Sequence, residues 1–439
     1  MADPTDTAVL PAEHPTSREG NGTGPMMRPT VQVRPLGRDQ APALFAMDQW
    51  AFAFDDEDLD TEPVTATLEW DRTYGGHLGD DLAGIYSVFS LDLPIPGGSL
   101  PCAGLTWVGV HPQFRRRGVL SGMMAHHLRT TYERGEVITA LHASETTIYG
   151  RFGYGISCRH LRLTLPRGAD LNDVPGWQSV RLRIERADVD RHADVIGDCY
   201  EAARVDRPGM ASRNTEGHRR YMLDDPPKWR EGAESLRVMI AEDDGDGIAR
   251  GYALFRRKEH WEGALPKGTV QVKEVVARDP ATARALWGCL LDLDLMTTVE
   301  TDERPVDDPL LHLLKDPRSV LPTLVDGLWV RLVDLAPALT ARQYVADFDV
   351  VLEVADAHCP WNAGRWRLSG GPDGSACVRT DADPDVSLDV RELGSVYLGS
   401  LSLSALAASG RIQVMNAAAL HAASVAFAWP VAGYCGWGF

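Results

Sequence analysis

No stretch of this 439-residue chain approaches the roughly 18 to 20 uninterrupted apolar residues that a membrane-spanning helix needs, so no transmembrane segment is expected. Cysteine is sparse and unpatterned: seven residues, at 102, 158, 199, 289, 359, 377 and 435, contain no C-x-x-C pair. An odd number of scattered thiols argues against a disulfide framework and for a reduced, cytoplasmic protein. Positive charge is in deficit, 44 Lys and Arg against 62 Asp and Glu for a formal net charge of −18. That balance disfavours a nucleic acid as partner and favours cationic ligands, although solubility accounts for it equally well. No G-x-S-x-G elbow occurs, and no cysteine stands in a recognisable nucleophile motif. His126 and His127 are adjacent on a helical pattern and diverge, so they make no metal pair, and no metal is expected. The D-x-D-x-D spacing from Asp56 to Asp60 lacks the glycine and distal glutamate of a calcium loop.

The chain is long enough for two to four cores, and its 44% hydrophobic and 24% charged fractions are those of a soluble globular protein. Residues 1–29, rich in Pro, Thr, Gly and Glu, read as a disordered leader. From Thr30 to about residue 170 the pattern gives a strand at Val31–Val33, a helix at Ala41–Trp50 and a long loop. Apolar strands follow at Ala83–Leu91 and Cys102–Val110, then a helix, a strand at Val137–Ala143, a short helix at Thr146–Phe152 and a strand at Cys158–Leu165. A second α/β unit over 178–303 repeats that order. Its turn Arg278-Asp279-Pro280-Ala281-Thr282 has no glycine and little positive charge, so it keeps the scaffold without a ligand cradle. Residues 304–439 read as α+β, with strands that include Trp329–Val333 and then helices at Val396–Ala408 and Ala417–Ala428. The last residues, Trp429 to Phe439, are aromatic and glycine-rich, as befits an end seated in a pocket.

The most informative segment is Arg115-Arg116-Arg117-Gly118-Val119-Leu120, which follows the apolar run Leu105–Pro112 and opens a helix. Amides at a helix N-terminus lack intrahelical partners and lie at the positive end of the dipole, so a strand, a basic turn and a helix start form a diphosphate cradle. Gly118 permits close backbone approach. This arrangement resembles the acetyl-CoA loop of the GNAT superfamily of N-acetyltransferases, with Leu120 departing from the usual Gly or Ala. A second block, His142-Ala143-Ser144-Glu145-Thr146-Thr147-Ile148-Tyr149-Gly150-Arg151-Phe152-Gly153-Tyr154-Gly155, taken with Val110–Met124, closely resembles the enhanced intracellular survival (Eis) family of acetyltransferases. The likeness continues through Glu274–Trp287, Asp326–Trp329 and Leu393–Gly399, and covers nearly everything after Thr30.

The resemblance implies two tandem GNAT folds, the second degenerate, followed by a sterol-carrier-protein-like α+β domain, with hexameric assembly. It implies an acetyl-CoA-dependent N-acetyltransferase acting by direct attack in a ternary complex on multi-amine acceptors such as aminoglycosides, or on lysine side chains. By the same resemblance Val108 and Val110 offer backbone groups to the pantetheine arm, and Arg115, Arg116, Gly118, Val119 and Leu120 hold the pyrophosphate. Ser144 lines the cofactor channel, and Tyr149 is the general acid for the departing thiolate, with Tyr154 as its rival. The α-carboxylate of Phe439 is the general base. Asp55, Asp56 and Glu57, in an acidic segment that also reads as an ordinary solvated loop, and Trp70 are expected to bind the acceptor. The competing reading is a non-catalytic CoA- or lipid-binding scaffold protein.

Overall fold

The computed structural model describes residues 30–54, 61–243, 245 and 247–439; the expected leader and the acidic run 55–60 lie outside the described residues. The first sheet gathers β1 (Gln32–Pro35), β2 (Thr73–Leu78), β3 (Asp81–Ile95), β4 (Gly98–Val110), β5 (Ile138–His142) and β6 (Gly155–Ile156). Helix α1 (Ala41–Phe52) packs on β3 and β4, and α2 (Val119–Glu133) contacts β1 to β4. The second sheet holds β7 (Arg159–Pro166), β8 (Val180–Arg186), β9 (Arg237–Asp243), β10 (Ala249–Lys258), β11 (Gly268–Ala277), β12 (Met296–Thr301) and β13 (Arg304–Pro305), with β14 (Leu321–Asp326) paired to β7. Against it lie α3 (Val189–Arg204) and α4 (Pro280–Leu290).

One strand from beyond the expected third boundary, β15 (Leu328–Leu332), completes the first sheet, in the order β1-β2-β3-β4-β5-β15-β6. Conversely β7, expected in the first unit, sits in the second sheet against β12, β13 and β14. The two sheets are therefore linked by chain segments that cross the expected limits at 170 and 303. The third sheet holds β16 (Phe348–Ala355), β17 (Gly364–Gly371), β18 (Gly374–Arg379), β19 (Val386–Asp389) and β20 (Gln413–Val414). Helix α5 (Val390–Val396) lies mainly against β15 and β6 of the first sheet, while α6 (Leu403–Ala408) packs on α7 (Ala417–Phe427) and α7 on β16. The single helix expected over Val396–Ala408 is thus two. Gly399 takes φ 81°, a left-handed conformation that ends a helix, and the Ser402 side chain accepts from the Ala405 amide to start the next.

All described strand pairs are antiparallel except β4 with β5, β11 with β12 and β16 with β19. In the first of these, pairing covers only Cys102–Gly104 against Ile138–Ala140. Beyond it β5, which pairs with β15 along its whole length from Ile138 to His142, parts from β4, and β4 runs on to Val110 beside β3 alone. A parallel pair that parts leaves one strand with unused backbone groups on the open side. That opening positions the site.

Candidate active site

An extra residue in β4 sharpens the split. Ser87 pairs with Thr106 and Ile85 with Gly109, so one β4 residue is left over, and Trp107 lies in the left-handed region at φ 54°. Such a bulge bends the strand and re-aims its side chains. The backbone of Val108 and Val110 then faces a cavity of about 870 Å³ at the start of α2. Gly118, at φ 86°, is the N-cap of that helix, and no side chain caps it. A Cβ on Gly118 would meet nothing within 4 Å, so glycine is there for its backbone angle and leaves the approach clear. Among the described residues no acceptor engages the amides of residues 116–121. No described carboxylate pairs with Arg115, Arg116 or Arg117, and Arg117 instead stacks over Phe114 at 5.5 Å. Unpaired amides, a helix N-terminus and free guanidiniums are a donor set suited to a diphosphate.

Every residue expected to contact the donor lines this one cavity: Val108 and Val110 from β4, Arg115, Arg116, Gly118, Val119 and Leu120 from the turn and helix, and Ser144 after β5. Tyr149 lines it too. Burial raises its phenol to a pKa of about 12, because the phenolate would lose hydration. The two tyrosines separate cleanly. Tyr154 is fully buried, its hydroxyl 3.1 Å from both His127 Nε2 and Thr139 Oγ1, whereas Tyr149 is 8% exposed and no described residue hydrogen-bonds its hydroxyl. His126 and His127 do diverge, toward Tyr86 and toward Thr139 and Tyr154 respectively.

On the other side of the bulge lies a second cavity, of about 280 Å³, lined by Thr106, Trp107, Trp437, Gly438 and Phe439 among others. Phe52 lines both cavities, so the two adjoin across β4. The Phe439 ring lies at the fork of β4 and β5: 5.2 Å from His142, edge to face, and so close over Gly104 that a Cβ there would stand 3.1 Å from it. The tail that delivers it is tied down at several points. The Ala432 amide donates to Asp307, Gly433 to Ser400, Tyr434 to the Pro208 carbonyl and Cys435 to His160, and the Trp437 indole donates to the Ala211 carbonyl. Burial drops His142 to about 4 and keeps it neutral.

Trp70 is not brought to either cavity: it opens a short 3₁₀ turn and packs against the core. Asp55, Asp56 and Glu57 fall outside the described residues. The charged side chain of the smaller cavity was not anticipated. Asp48 faces the smaller cavity from α1, whose sequence APALFAMDQWAF holds no other charged residue; that isolation was the available signal.

Comparison with known proteins agrees with the fold. An acetyltransferase (GNAT) domain family matches residues 32–157, a second acetyltransferase (GNAT) domain family matches 209–332, and a sterol carrier protein domain family matches 335–436. An uncharacterized N-acetyltransferase of Streptomyces avermitilis is 42% identical over 414 residues, spanning 93% of this chain and all of the relative. The N-acetyltransferase Eis of Mycobacterium tuberculosis is 33% identical over 361 residues, 81% of this chain and 85% of that protein. The crystal structure of Eis1 from Mycobacterium abscessus superposes with a TM-score of 0.79 at 31% identity, covering 93% of this chain and 100% of that one. With an open donor cradle in its first unit and this likeness along most of its length, the chain belongs to the Eis family of GNAT N-acetyltransferases, enzymes that take acetyl-CoA as co-substrate.

Proposed function

We propose that this enzyme transfers acetyl directly, within a ternary complex, to amines of multi-amine acceptors such as aminoglycosides, with lysine side chains as the other amine class. The observation that carries the reading is that two cavities adjoin across the bulged end of β4, one bordered by the amide cradle and Tyr149, the other by the Phe439 terminus. The bound thioester supplies an activated carbonyl, and the chain's own groups do the rest.

In this reading Val108 and Val110 pair their open backbone with the amide groups of the pantetheine arm, as an added strand does. The amides of 116–121, with Arg115 and Arg116, hold the diphosphate, and Ser144 borders the channel. An isolated α-carboxylate, of pKa near 3.5, is a weak base, and in this reading that group is the Phe439 terminus. It accepts a proton, directly or through water, once the forming C–N bond makes the amine nitrogen strongly acidic. Tyr149 keeps its proton throughout the neutral range, because burial holds it near 12, and offers it as a hydrogen bond to the departing sulfur. The third domain serves as the scaffold that places Phe439, consistent with the tail's fixed path. Asp55, Asp56 and Glu57, which lie outside the described residues, enter the same reading only as acids that would bind a cationic acceptor. The family likeness brings a hexamer into the same reading, to be checked by light scattering, and the seven free thiols, six of them buried, suit a cytoplasmic setting.

The test is release of free CoA thiol from acetyl-CoA with a panel of aminoglycosides and lysine peptides. Tyr149→Ala should lower kcat at least 100-fold, the usual scale of acid–base assistance, while acetyl-CoA affinity stays within twofold. Residues appended after Phe439 should lower kcat comparably. Unchanged turnover in either variant would remove that group from the reaction.

A further inference from the structure

The smaller cavity has an unbalanced wall. Its lining is largely aromatic, with Phe52, Phe89, Trp107 and Trp437 presenting rings, and among its described residues Asp48 brings the one charged side chain. No hydrogen bond or ion pair joins Asp48 to any described residue, and no cationic side chain lines the cavity. A half-buried carboxylate without a partner is unfavourable unless something supplies the missing charge. The surrounding ring faces favour the same sign of guest, since a cation is attracted to an aromatic face. Asp48 precedes Phe52 by one helical turn, so both project from one face of α1, and Phe52 is the side chain shared with the donor cavity. A group held at Asp48 is therefore held beside the fork where the thioester must lie. At about 280 Å³ the cavity takes one amine-bearing arm of an acceptor and leaves the remainder outside.

We infer that Asp48 is the anionic anchor of the acceptor site, a specificity-determining residue that receives an ammonium group other than the one being acetylated. The inference rests on the amine-acceptor reading above. Its chemical consequence is selectivity for acceptors carrying at least two amines, one for the anchor and one for the Phe439 terminus. Burial without a cationic partner, which lifts the Asp48 carboxyl to about 7, agrees with a site that awaits a cation. The neighbouring Tyr221 phenol, also on the cavity wall, is raised by burial first and by Asp224 and Asp48 after it, so it too opposes further negative charge there.

Steady-state kinetics on the full chain decide the matter, with kanamycin A as the multi-amine acceptor and n-pentylamine as a single-amine one. Asp48→Asn should raise KM for kanamycin about tenfold with kcat within threefold, leave KM for acetyl-CoA within twofold, and leave n-pentylamine kinetics unaltered. Asp48→Glu should recover most of the kanamycin KM. An unchanged kanamycin KM in Asp48→Asn overturns the inference alone. So does a loss confined to kcat, which would make Asp48 a proton carrier instead. A wild-type enzyme that released no CoA with any amine would overturn the acceptor reading and this inference with it. A circular dichroism spectrum matching wild type confirms that the variants fold.

Discussion

The two GNAT units of this chain are built alike and differ where the donor would sit. Each has a strand followed by a helix and a parallel partner that separates from it: β4, α2 and β5 in the first, β11, α4 and β12 in the second. Each carries one extra residue in the strand before the helix, Trp107 in β4 and Lys273 in β11. The differences lie in which backbone groups are already satisfied. Helix α2 begins at Gly118 with no side-chain cap, whereas α4 begins at Asp279, whose carboxylate accepts from the Thr282 amide and the Thr282 hydroxyl. Past the end of strand pairing, β4 has no partner on its open side among the described residues, whereas the Val275 carbonyl of β11 accepts from Arg304. A cavity of about 810 Å³ does remain beside β11 and α4. Space survives in the second unit, but the donors that would grip a diphosphate are consumed or opposed by the protein itself. The second unit satisfies its own backbone at positions that the first leaves open.

The largest test of that contrast is Arg304→Ala. Arg304 is buried, 2.7 Å from the fully buried Asp308, and reaches β11 at 3.0 Å. Its removal strands a carboxylate and a carbonyl together, which should cost about 3–5 kcal/mol of stability, the usual penalty for breaking a buried pair. The chemical-unfolding midpoint measures it, and a loss below about 1 kcal/mol would mean that the second split does not depend on its internal plug.

A smaller effect comes from giving the first unit the second's cap. Gly118→Asp places a carboxylate at the helix start, where it both occupies an amide and repels the diphosphate. Acetyl-CoA KM should rise about 100-fold, roughly 2.7 kcal/mol, with stability falling by about 1 kcal/mol because an L residue is strained at the left-handed angle of Gly118. An acetyl-CoA KM equal to wild type would show that the amides of 116–121 are not the grip.

How much of this contrast was legible in the sequence depends on its range. The cradle was readable because it is contiguous: strand, arginine turn, Gly118 and helix are all set by neighbours in sequence. The loss of the second cradle was readable for the same reason, from Asp279 and the missing glycine. The plug was not, since Arg304 lies far along the chain from the carbonyl it fills. Sheet membership was hidden in the same way. The strand at 328–332 shows its pattern locally, but its place beside β5 is fixed partly by Arg331, which is fully buried and reaches the Phe152 carbonyl and Asp356, at 2.7 Å each. Strand β2 was missed because Tyr74-Gly75-Gly76-His77 reads as a turn, and β12 and β14 because neither alternates cleanly. Asp48 was passed over because a lone acid in an apolar helix points to nothing until the cavity beside it is seen.

The smallest effect is the most discriminating. Asp279→Ala removes the cap of α4 and frees the Thr282 amide, which should cost about 1 kcal/mol, read again from the unfolding midpoint. Uncapping alone should not restore a donor site, because Arg304 still occupies the Val275 carbonyl and the turn Arg278-Asp279 has no guanidinium cluster like that of Arg115–Arg117. Calorimetric titration with CoA should therefore give one site per chain in the variant, as in wild type. A second site per chain would mean that one carboxylate at a helix start had silenced the unit, and that the arginine plug was an addition the loss never needed.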